Sequence, residues 1–491
     1  MTGTAMGRST TSLLKPLARL AAIAALAACS MIPDYQRPAV ETPAAWAEPA
    51  ADGPKDTAAW PVSDWWRGFG SPVLDGLIAA ARTNNANIGQ AAARVLQAEA
   101  QAKIAGADLW PSLDGSLGAG RTWDGTAGTG GGRRTTTITN SLSAGFDVSY
   151  EIDLFGKNRA ALTAAEASLL FSRFDRDAVA LTVVATTAEA YFRVLQFRER
   201  LTVARRILTI TEGVLAVVDA RVQNGAASPL DLAQQRTLVA TQRAAIPPLE
   251  TQLRQAENAL AILLGTHLES LGATGGRLLE IRPPAPTAGL PSELLIRRPD
   301  VQATEARLVA ANAEIGNARA QLFPSLSLTG ALGWESTALA SLFNPVNRSY
   351  SLASSLLQPI FRGGALTGQV EFSEARFREL AETYRETVLV ALGEVHDSLV
   401  AARRTAEQET LQTVAVEQAR LGYELAEARY RAGAVDLLTV LDAQRTLSQA
   451  EDQIVQIRFQ RLQAAIGLFK ALGGGWRIDQ ALPEKAEVTV R

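Results

Sequence analysis

The stretch SLSAGFDVSYEIDL (residues 141–154) decides the fold class of this chain. Its apolar side chains, from Leu142 to Leu154, occupy every second position, and polar or small residues lie between them. A period of two indicates a β-strand with one apolar and one polar face. A similar pattern over 326–334, and a weaker one near 349–361, indicate further strands. The sequence therefore predicts four strands, two in each half of the chain.

Long helical patterns flank the predicted strands. Within residues 157–222, side chains such as Ala178, Leu181 and Ala185 recur three and four positions apart, which is coiled-coil spacing. A helix over this range is roughly 100 Å long at about 1.5 Å per residue, a length that favours a tube over a compact domain. The predicted helices cover 86–109, 157–222, 228–266 and 363–431. The prolines Pro247 and Pro248 are expected to kink or interrupt the third helix, because proline lacks an amide donor and crowds the preceding turn.

The second half of the chain repeats the plan of the first. A shift of about 210 residues aligns PSL at 111–113 with PSL at 324–326, and GA at 225–226 with GA at 433–434. Each half therefore has the order helix, two strands, long helix, returning helix. The predicted organisation is a first repeat over 72–271, a linker over 272–299 and a second repeat over 300–472.

The N-terminus has the order of a secretory signal peptide. Basic residues, of which Arg19 is the last, precede a short apolar run over 20–28. This run is too short to span a bilayer, which needs roughly 20 residues. Cys29 is the only cysteine, and the order Leu-Ala-Ala-Cys that it completes resembles the lipidation site of bacterial lipoproteins. The expected segments are a signal peptide over 1–28, an extended segment over 29–71 that is lipid-anchored through Cys29, and a C-terminal tail over 473–491.

The predicted strands have the length of membrane-spanning strands. Strands of about 10–14 residues can cross a bilayer when they are tilted. Lipid does not tolerate open sheet edges, so spanning strands must close into a barrel. Four strands per chain are too few, because barrels start at about eight. The chain must therefore oligomerise, and two, three or four copies all remain possible.

Five short motifs, taken in order, resemble the TolC-like outer-membrane efflux family, and specifically its lipoprotein branch of the OprM/NodT type. The resemblance covers nearly the whole chain after Cys29. The motifs are WWRGFG at 65–70, YEIDLFG at 150–156, RPD at 298–300, YRAG at 430–433 and LDAQ at 441–444.

The resemblance implies a membrane α+β fold. Three protomers, with four strands each, would form a twelve-stranded outer-membrane β-barrel that continues as a long periplasmic α-helical barrel. It also implies contact with a periplasmic adaptor (a membrane fusion protein) and an inner-membrane pump of the RND type. The implied function is a passive exit duct for small molecules, such as drugs or other toxic compounds, that is gated at its periplasmic tip.

The turns between long and returning helices are the expected tips. Glycine can adopt the positive φ that a helix-ending turn often needs, and a serine or aspartate can cap the helix that follows. The backbone and capping needs of a turn are sufficient to explain such glycine, serine and aspartate residues. The resemblance implies, in addition, that the turns contact the adaptor. The expected adaptor-contact residues are Asn224, Gly225, Ser228, Gly433 and Asp436.

The resemblance also places a periplasmic gate beside these turns. It matches Asp231, Asp442 and Tyr430 to residues of the closed end, where a trimer would present each carboxylate three times around the axis and attract cations. Arg221 and Arg429 precede the turns and are expected to tie the closed state through ion pairs. A carboxylate in a first helical turn also interacts favourably with the helix dipole, so a structural role stays open for both aspartates.

Other function classes find little support in the sequence. The formal net charge is −2 over 491 residues, which gives no indication of a nucleic-acid partner. The two histidines, His267 and His396, lie far apart, and no motif for metal binding, phosphate binding or nucleophilic catalysis is present. No enzyme activity, metal or cofactor is therefore expected. Two alternatives remain open: a duct for protein (type I) secretion, and a structural lipoprotein spacer that does not conduct.

Overall fold

A computed structural model describes residues 30–46, 62–126, 135–270, 275–284 and 291–476. Cys29, the predicted signal peptide and most of the predicted tail lie outside these ranges. The helices are α1 Pro72–Asn84, α2 Ala86–Ala107, α3 Lys157–Gln223, α4 Pro229–Leu263, α5 Leu294–Arg297, α6 Pro299–Ala320, α7 Ala365–Arg431 and α8 Leu437–Ala471. The strands are β1 Ser112–Thr126, β2 Thr135–Ile152, β3 Ser325–Ser336 and β4 Arg348–Leu357.

Helices at corresponding places in the two halves have equal lengths. Helices α2 and α6 each have 22 residues, α3 and α7 each have 67, and α4 and α8 each have 35. The four helices with predicted ranges are confirmed, and their ends differ from the prediction by no more than a few residues.

Helix α4 continues through Pro247 and Pro248, so the helix is not interrupted there, whereas the alternative of a kink at these residues stays a prediction. Each proline removes only its own amide donor, and the neighbouring residues keep their helical hydrogen bonds. The Thr251 hydroxyl donates to the Pro247 carbonyl oxygen at 3.0 Å. Burial of Leu249 and Leu260 on one face adds packing energy that holds the helix together across the proline pair.

The chain divides into two compact units. The first consists of Met1–Pro38, Leu96–Phe171 and Glu305–Thr383, and the second consists of Ala39–Val95, Ser172–Thr304 and Tyr384–Arg491. The first unit contains the four strands listed above, and the second contains the two turns that join the long and returning helices.

The first unit contains one antiparallel sheet of order β1-β2-β3-β4, so the prediction of four strands is confirmed. The register keeps residues of like polarity on the same face. Phe146, Leu332 and Tyr350 form one row of the apolar face, whereas the polar face has rows such as Glu151, Ser327 and Ser355. Strands β1 and β4 lie at the two edges, and among the described residues each pairs on one side only.

An extended segment, residues 30–38, lies along α6 in the same unit. A Cβ atom on Gly316 would come within 2.6 Å of Ile32 Cγ1 and 2.7 Å of Ile32 Cα, so glycine permits this close approach. Arg37 Nε donates to Glu305 Oε1 at 2.6 Å, and Glu305 is only 2% exposed. Because a buried carboxylate needs a partner, this ion pair fixes the segment on α6.

Aromatic residues form the largest core cluster of the second unit. Trp65, Trp66 and Phe69 lie in a short 3₁₀-helix and are buried in a cluster with residues from much later in the chain. Trp65 stacks on Phe469 with ring centres 4.8 Å apart, and the Phe69 ring lies 5.1 Å from that of Phe192.

Candidate functional site: the two helical turns

The two turns have the same backbone structure. The first turn, residues 221–231, joins α3 to α4, and the second turn, residues 429–442, joins α7 to α8. Each contains one glycine in the left-handed region, with φ of 73° at Gly225 and 78° at Gly433. The amide after each glycine donates to a carbonyl oxygen five residues back, at 2.8 Å in the first turn and 2.9 Å in the second. Both helices therefore end in a Schellman motif.

Side-chain caps begin the returning helices, but the two turns use different residues. In the first turn Ser228 Oγ accepts from the Asp231 amide at 3.2 Å, and Asp231 Oδ2 accepts from the Ser228 amide at 3.0 Å, which is a capping box. In the second turn Asp436 Oδ1 accepts from the Thr439 amide at 3.0 Å and from the Thr439 hydroxyl at 2.7 Å. These two hydrogen bonds lower the pKa of the Asp436 carboxyl below its usual value.

Arg221 connects the end of α3 to the end of α7. Its Nη2 donates to the carbonyl oxygens of Tyr430 at 2.7 Å and Arg431 at 3.0 Å. Its guanidinium carbon also lies 4.3 Å from the centre of the Tyr430 ring, which is a cation–π contact. The last carbonyl oxygens of a helix carry partial negative charge, so this arginine stabilises the end of α7. Its partners in the described chain are therefore carbonyl oxygens rather than the carboxylate expected from the sequence.

Two tyrosines lie seven residues apart on α7 and face the same core. Tyr430 and Tyr423 are both nearly buried, and their cluster includes Val218 of α3 and Val440 of α8. Burial, together with the nearby charge of Glu427, raises the pKa of Tyr423 to about 12. The sequence reasoning missed Tyr423, although its spacing of one heptad from Tyr430 was a usable signal.

Arg429 is exposed, unlike Arg221 at the corresponding place of the first turn, and Asp442 is exposed beyond the first turn of α8, where the expected interaction with the helix dipole is weak. The Arg429 side chain makes no hydrogen bond or ion pair with the described residues. The nearest cation to the Asp442 carboxylate is Arg445, at 3.9 Å, in an exposed pair on the same helix. The five expected adaptor-contact residues, from Asn224 to Asp436, are also all exposed.

A buried carboxylate farther along the same helices was missed. Glu451 of α8 is 3% exposed and forms ion pairs with Arg206 of α3 and, at 3.0 Å, with Arg420 of α7. It therefore joins three helices. Its spacing in the sequence could have identified it. Glu451 lies four residues from both Leu447 and Val455, so it places a charge on the buried face of α8.

The described ranges hold no helix that is both long and apolar enough to cross a membrane. They also hold no group of three or more His, Cys, Asp or Glu side chains that could bind a metal ion.

The sequence matches the family model described as outer membrane efflux protein over residues 77–266 and 290–474. The chain belongs to the outer membrane efflux protein family. This outer membrane efflux protein is accordingly a transport component of the outer membrane. Its family consists of efflux channels rather than enzymes.

Relatives with known names match this outer membrane efflux protein over nearly its whole length. The pyoverdine export outer membrane protein OpmQ of Pseudomonas aeruginosa is 41% identical over 471 residues, which are 95% of this chain and 98% of the relative. A probable outer membrane lipoprotein of Salmonella typhimurium, SilC, is 32% identical over 470 residues, with 94% and 98% covered.

Solved structures also resemble this outer membrane efflux protein. The Campylobacter jejuni CmeC outer membrane channel aligns with a TM-score of 0.86 at 25% identity, covering 92% of this chain and 96% of the channel. The open state of the Neisseria gonorrhoeae MtrE outer membrane channel aligns with a TM-score of 0.82 at 30% identity, covering 91% and 98%.

Proposed function

We propose that this chain forms, as a homotrimer, the passive exit duct of a tripartite efflux system. The observation that carries the proposal is the four-stranded sheet, with one apolar face, one polar face and two edge strands, β1 and β4. In lipid these edges need partners, and four strands are too few to close on themselves. Three copies supply twelve strands, and the resemblance to solved outer-membrane channels supports that assembly.

The helices continue the duct in this proposal. The equal lengths of the helices in the two halves support an internal repeat over 72–271 and 300–472. Three copies of the long and returning helices then form a periplasmic α-helical barrel. The exposed residues of both turns meet a periplasmic adaptor, which links the duct to an inner-membrane pump of the RND type.

Small organic compounds are the proposed cargo. Relatives that are 41% and 33% identical carry names that refer to pyoverdine export, solvent efflux and toluene efflux. A duct for protein secretion is the weaker candidate, because no relative named above is described in those terms. The probable lipoprotein named among the relatives supports lipidation of Cys29 after removal of residues 1–28.

The gate of the duct is proposed to lie at the two turns. Asp442 carries the cation-attracting ring, because its carboxylate is exposed and has no close partner. Asp231 contributes less, because it is engaged in the capping box with Ser228. Arg221 and Tyr430 hold the ends of α3 and α7 together in the closed state, and Arg429 is available for contacts between protomers.

Conductance of the full-length protein in planar bilayers tests the proposal. A trimer, verified by native mass spectrometry, is expected to give discrete conductance steps that grow when Asp231 and Asp442 are both changed to asparagine. A stable trimer that stays silent in both forms would overturn the duct and favour a structural spacer. Mass spectrometry of the membrane-extracted protein tests lipidation separately, with Cys29→Ser as the unlipidated control.

A further inference from the structure

The charged residues of the sheet are sorted by face. Both cations of the four strands belong to the apolar face. Arg121 pairs with Asn140, which lies on the same face of β2 as Leu142, and Arg348 pairs with Trp334, which pairs with Ala144. All carboxylates of the strands belong to the opposite, polar face. They are Asp114, Asp124, Asp147, Glu151 and Glu335.

Both arginines lie toward the hairpin connections, away from the strand ends that adjoin the helices. Arg121 follows the apolar stretch of β1, and Arg348 is the first residue of β4. On β2, the stretch 140–152 separates the partner of Arg121 from the last strand residue. This stretch is about 40 Å long, and a tilt of 35–45° reduces it to roughly 30 Å along the membrane normal. That value is the thickness of the hydrocarbon core of a bilayer.

The side chains around the two arginines suit a membrane interface. The Arg121 guanidinium lies 5.5 Å from the ring centre of Trp123, which is 62% exposed. Next to Arg348, Tyr350 is 83% exposed, and Trp334 packs edge-on against Phe343. Aromatic side chains concentrate where hydrocarbon meets head groups. Neither guanidinium forms an ion pair or hydrogen bond with the residues that the structure describes.

We infer that Arg121 and Arg348 bind the phosphate groups of lipid A in the outer leaflet of the outer membrane. The inference rests on the proposed membrane-spanning sheet. An arginine on a lipid-facing surface is costly at the bilayer centre and nearly free of cost at the interface, so the two cations mark the level of the head groups. Lipid phosphate is the anion available at that level, and guanidinium binds phosphate in a bidentate geometry. The N-terminal segment that follows the proposed lipid anchor at Cys29 lies against α6, so the helical end of the strands faces the inner leaflet. The opposite end of the strands therefore faces the outer leaflet and its lipid A.

Binding of lipid A to the detergent-solubilised full-length protein tests the inference. Native mass spectrometry with added diphosphoryl lipid A is expected to show about tenfold weaker binding for R121Q/R348Q than for the unchanged protein. The matched control, K103Q/R376Q, removes two exposed cations from helices of the same unit and is expected to bind normally. R121K/R348K keeps both charges but not the bidentate donors, so it should bind lipid A more weakly than the unchanged protein and more tightly than R121Q/R348Q, which separates a lost contact from misfolding.

Two outcomes overturn the inference. Equal binding of lipid A by R121Q/R348Q and the unchanged protein would show that these arginines do not contact its phosphates. Equally tight binding of phosphatidylglycerol by the unchanged protein would replace lipid A with phospholipid as the partner. Conductance is a separate readout, because both arginines lie on the outer face and R121Q/R348Q should conduct normally. Failure of the unchanged protein to conduct would remove the duct, whereas the binding data would stand independently.

Discussion

The first and second turns share a backbone but use their charged side chains differently. In the first turn, Arg221 donates to carbonyl oxygens of α7, and Asp231 belongs to a capping box. In the second turn, Arg429 makes no hydrogen bond or ion pair with the described residues, and Asp442 is exposed in a 3.9 Å pair with Arg445. The charged side chains of the first turn therefore have a structural role, whereas those of the second turn, on the same backbone geometry, are exposed to solvent.

This difference separates two parts of the proposed gate, which the resemblance to the family treats as equivalent. Contacts made by the first turn stabilise the end of each helix pair within one protomer. Charges exposed by the second turn are available to ions, to the neighbouring protomers or to an adaptor. Each of the following changes tests this division, from the largest expected effect to the smallest.

Removal of the Arg221 side chain should give the largest effect. Arg221→Ala eliminates two charge-assisted hydrogen bonds and a cation–π contact, and partial exposure reduces their combined value to about 2 kcal/mol. The population of the high-conductance state in planar bilayers should then rise roughly 30-fold. Arg429→Ala is the matched control and should change it by less than about twofold. Equal effects of the two variants would contradict the proposed division.

Replacement of the two turn glycines by alanine should test whether both turns have the same backbone conformation. Gly225→Ala and Gly433→Ala each place a side chain at positive φ, and each should lower the free energy of unfolding by about 1 kcal/mol. Urea denaturation followed by circular dichroism measures both. Gly393→Ala, inside α7 where a Cβ meets open space, is the control and should stabilise the chain or leave it unchanged. A large difference between the two turn variants would mean that their backbones are under different constraints.

Neutralisation of the aspartates should separate selectivity from stability. Asp442→Asn is expected to reduce the preference of the duct for cations, measured as a reversal potential in a salt gradient, without a change in stability. Asp231→Asn should lower stability by about 0.5 kcal/mol, because it removes a carboxylate from the first turn of α4. Its effect on the reversal potential should be smaller. The reverse pattern would assign the cation-attracting ring to the first turn.

Tyr423 should have the smallest effect near neutral pH, because its contribution to stability changes only under alkaline conditions. The folded chain favours the neutral phenol, since its pKa is raised from 10.0 to about 12. This contribution to stability is fully present below pH 10 and is lost as the pH rises from 10 to 12. Tyr423→Phe should therefore lose less stability across that window than the unchanged protein. Parallel stability curves for the two proteins would show that Tyr423 does not titrate in this way.

Local chemistry made the ends of the elements predictable. Helix ends at Gln223 and Arg431 follow from the glycines and caps beside them, and the alternation of residues 141–154 identified β2. The prolines Pro247 and Pro248 were expected to kink or interrupt α4, and the interruption does not occur, because packing along the rest of the helix outweighs the local cost of proline.

Contacts between distant parts of the chain were not predictable in this way. The carbonyl acceptors of Arg221 lie 209 and 210 residues away in sequence. Their identity depends on how α3 and α7 align, whereas sequence reasoning sought a carboxylate nearby. The separation of cations and carboxylates onto opposite faces of the sheet could be predicted from the sequence, because a period of two already assigns Arg121 and Asp124 to opposite faces.

The close approach of Ile32 to Gly316 has a consequence for the order of events during synthesis. Arg37 and its partner Glu305 are separated by 268 residues, so the segment cannot settle on α6 until most of the chain has been made. At about 5–20 residues per second, a ribosome needs roughly 13–54 s to cover that separation. Residues near the start of the chain therefore depend on a partner that is made much later.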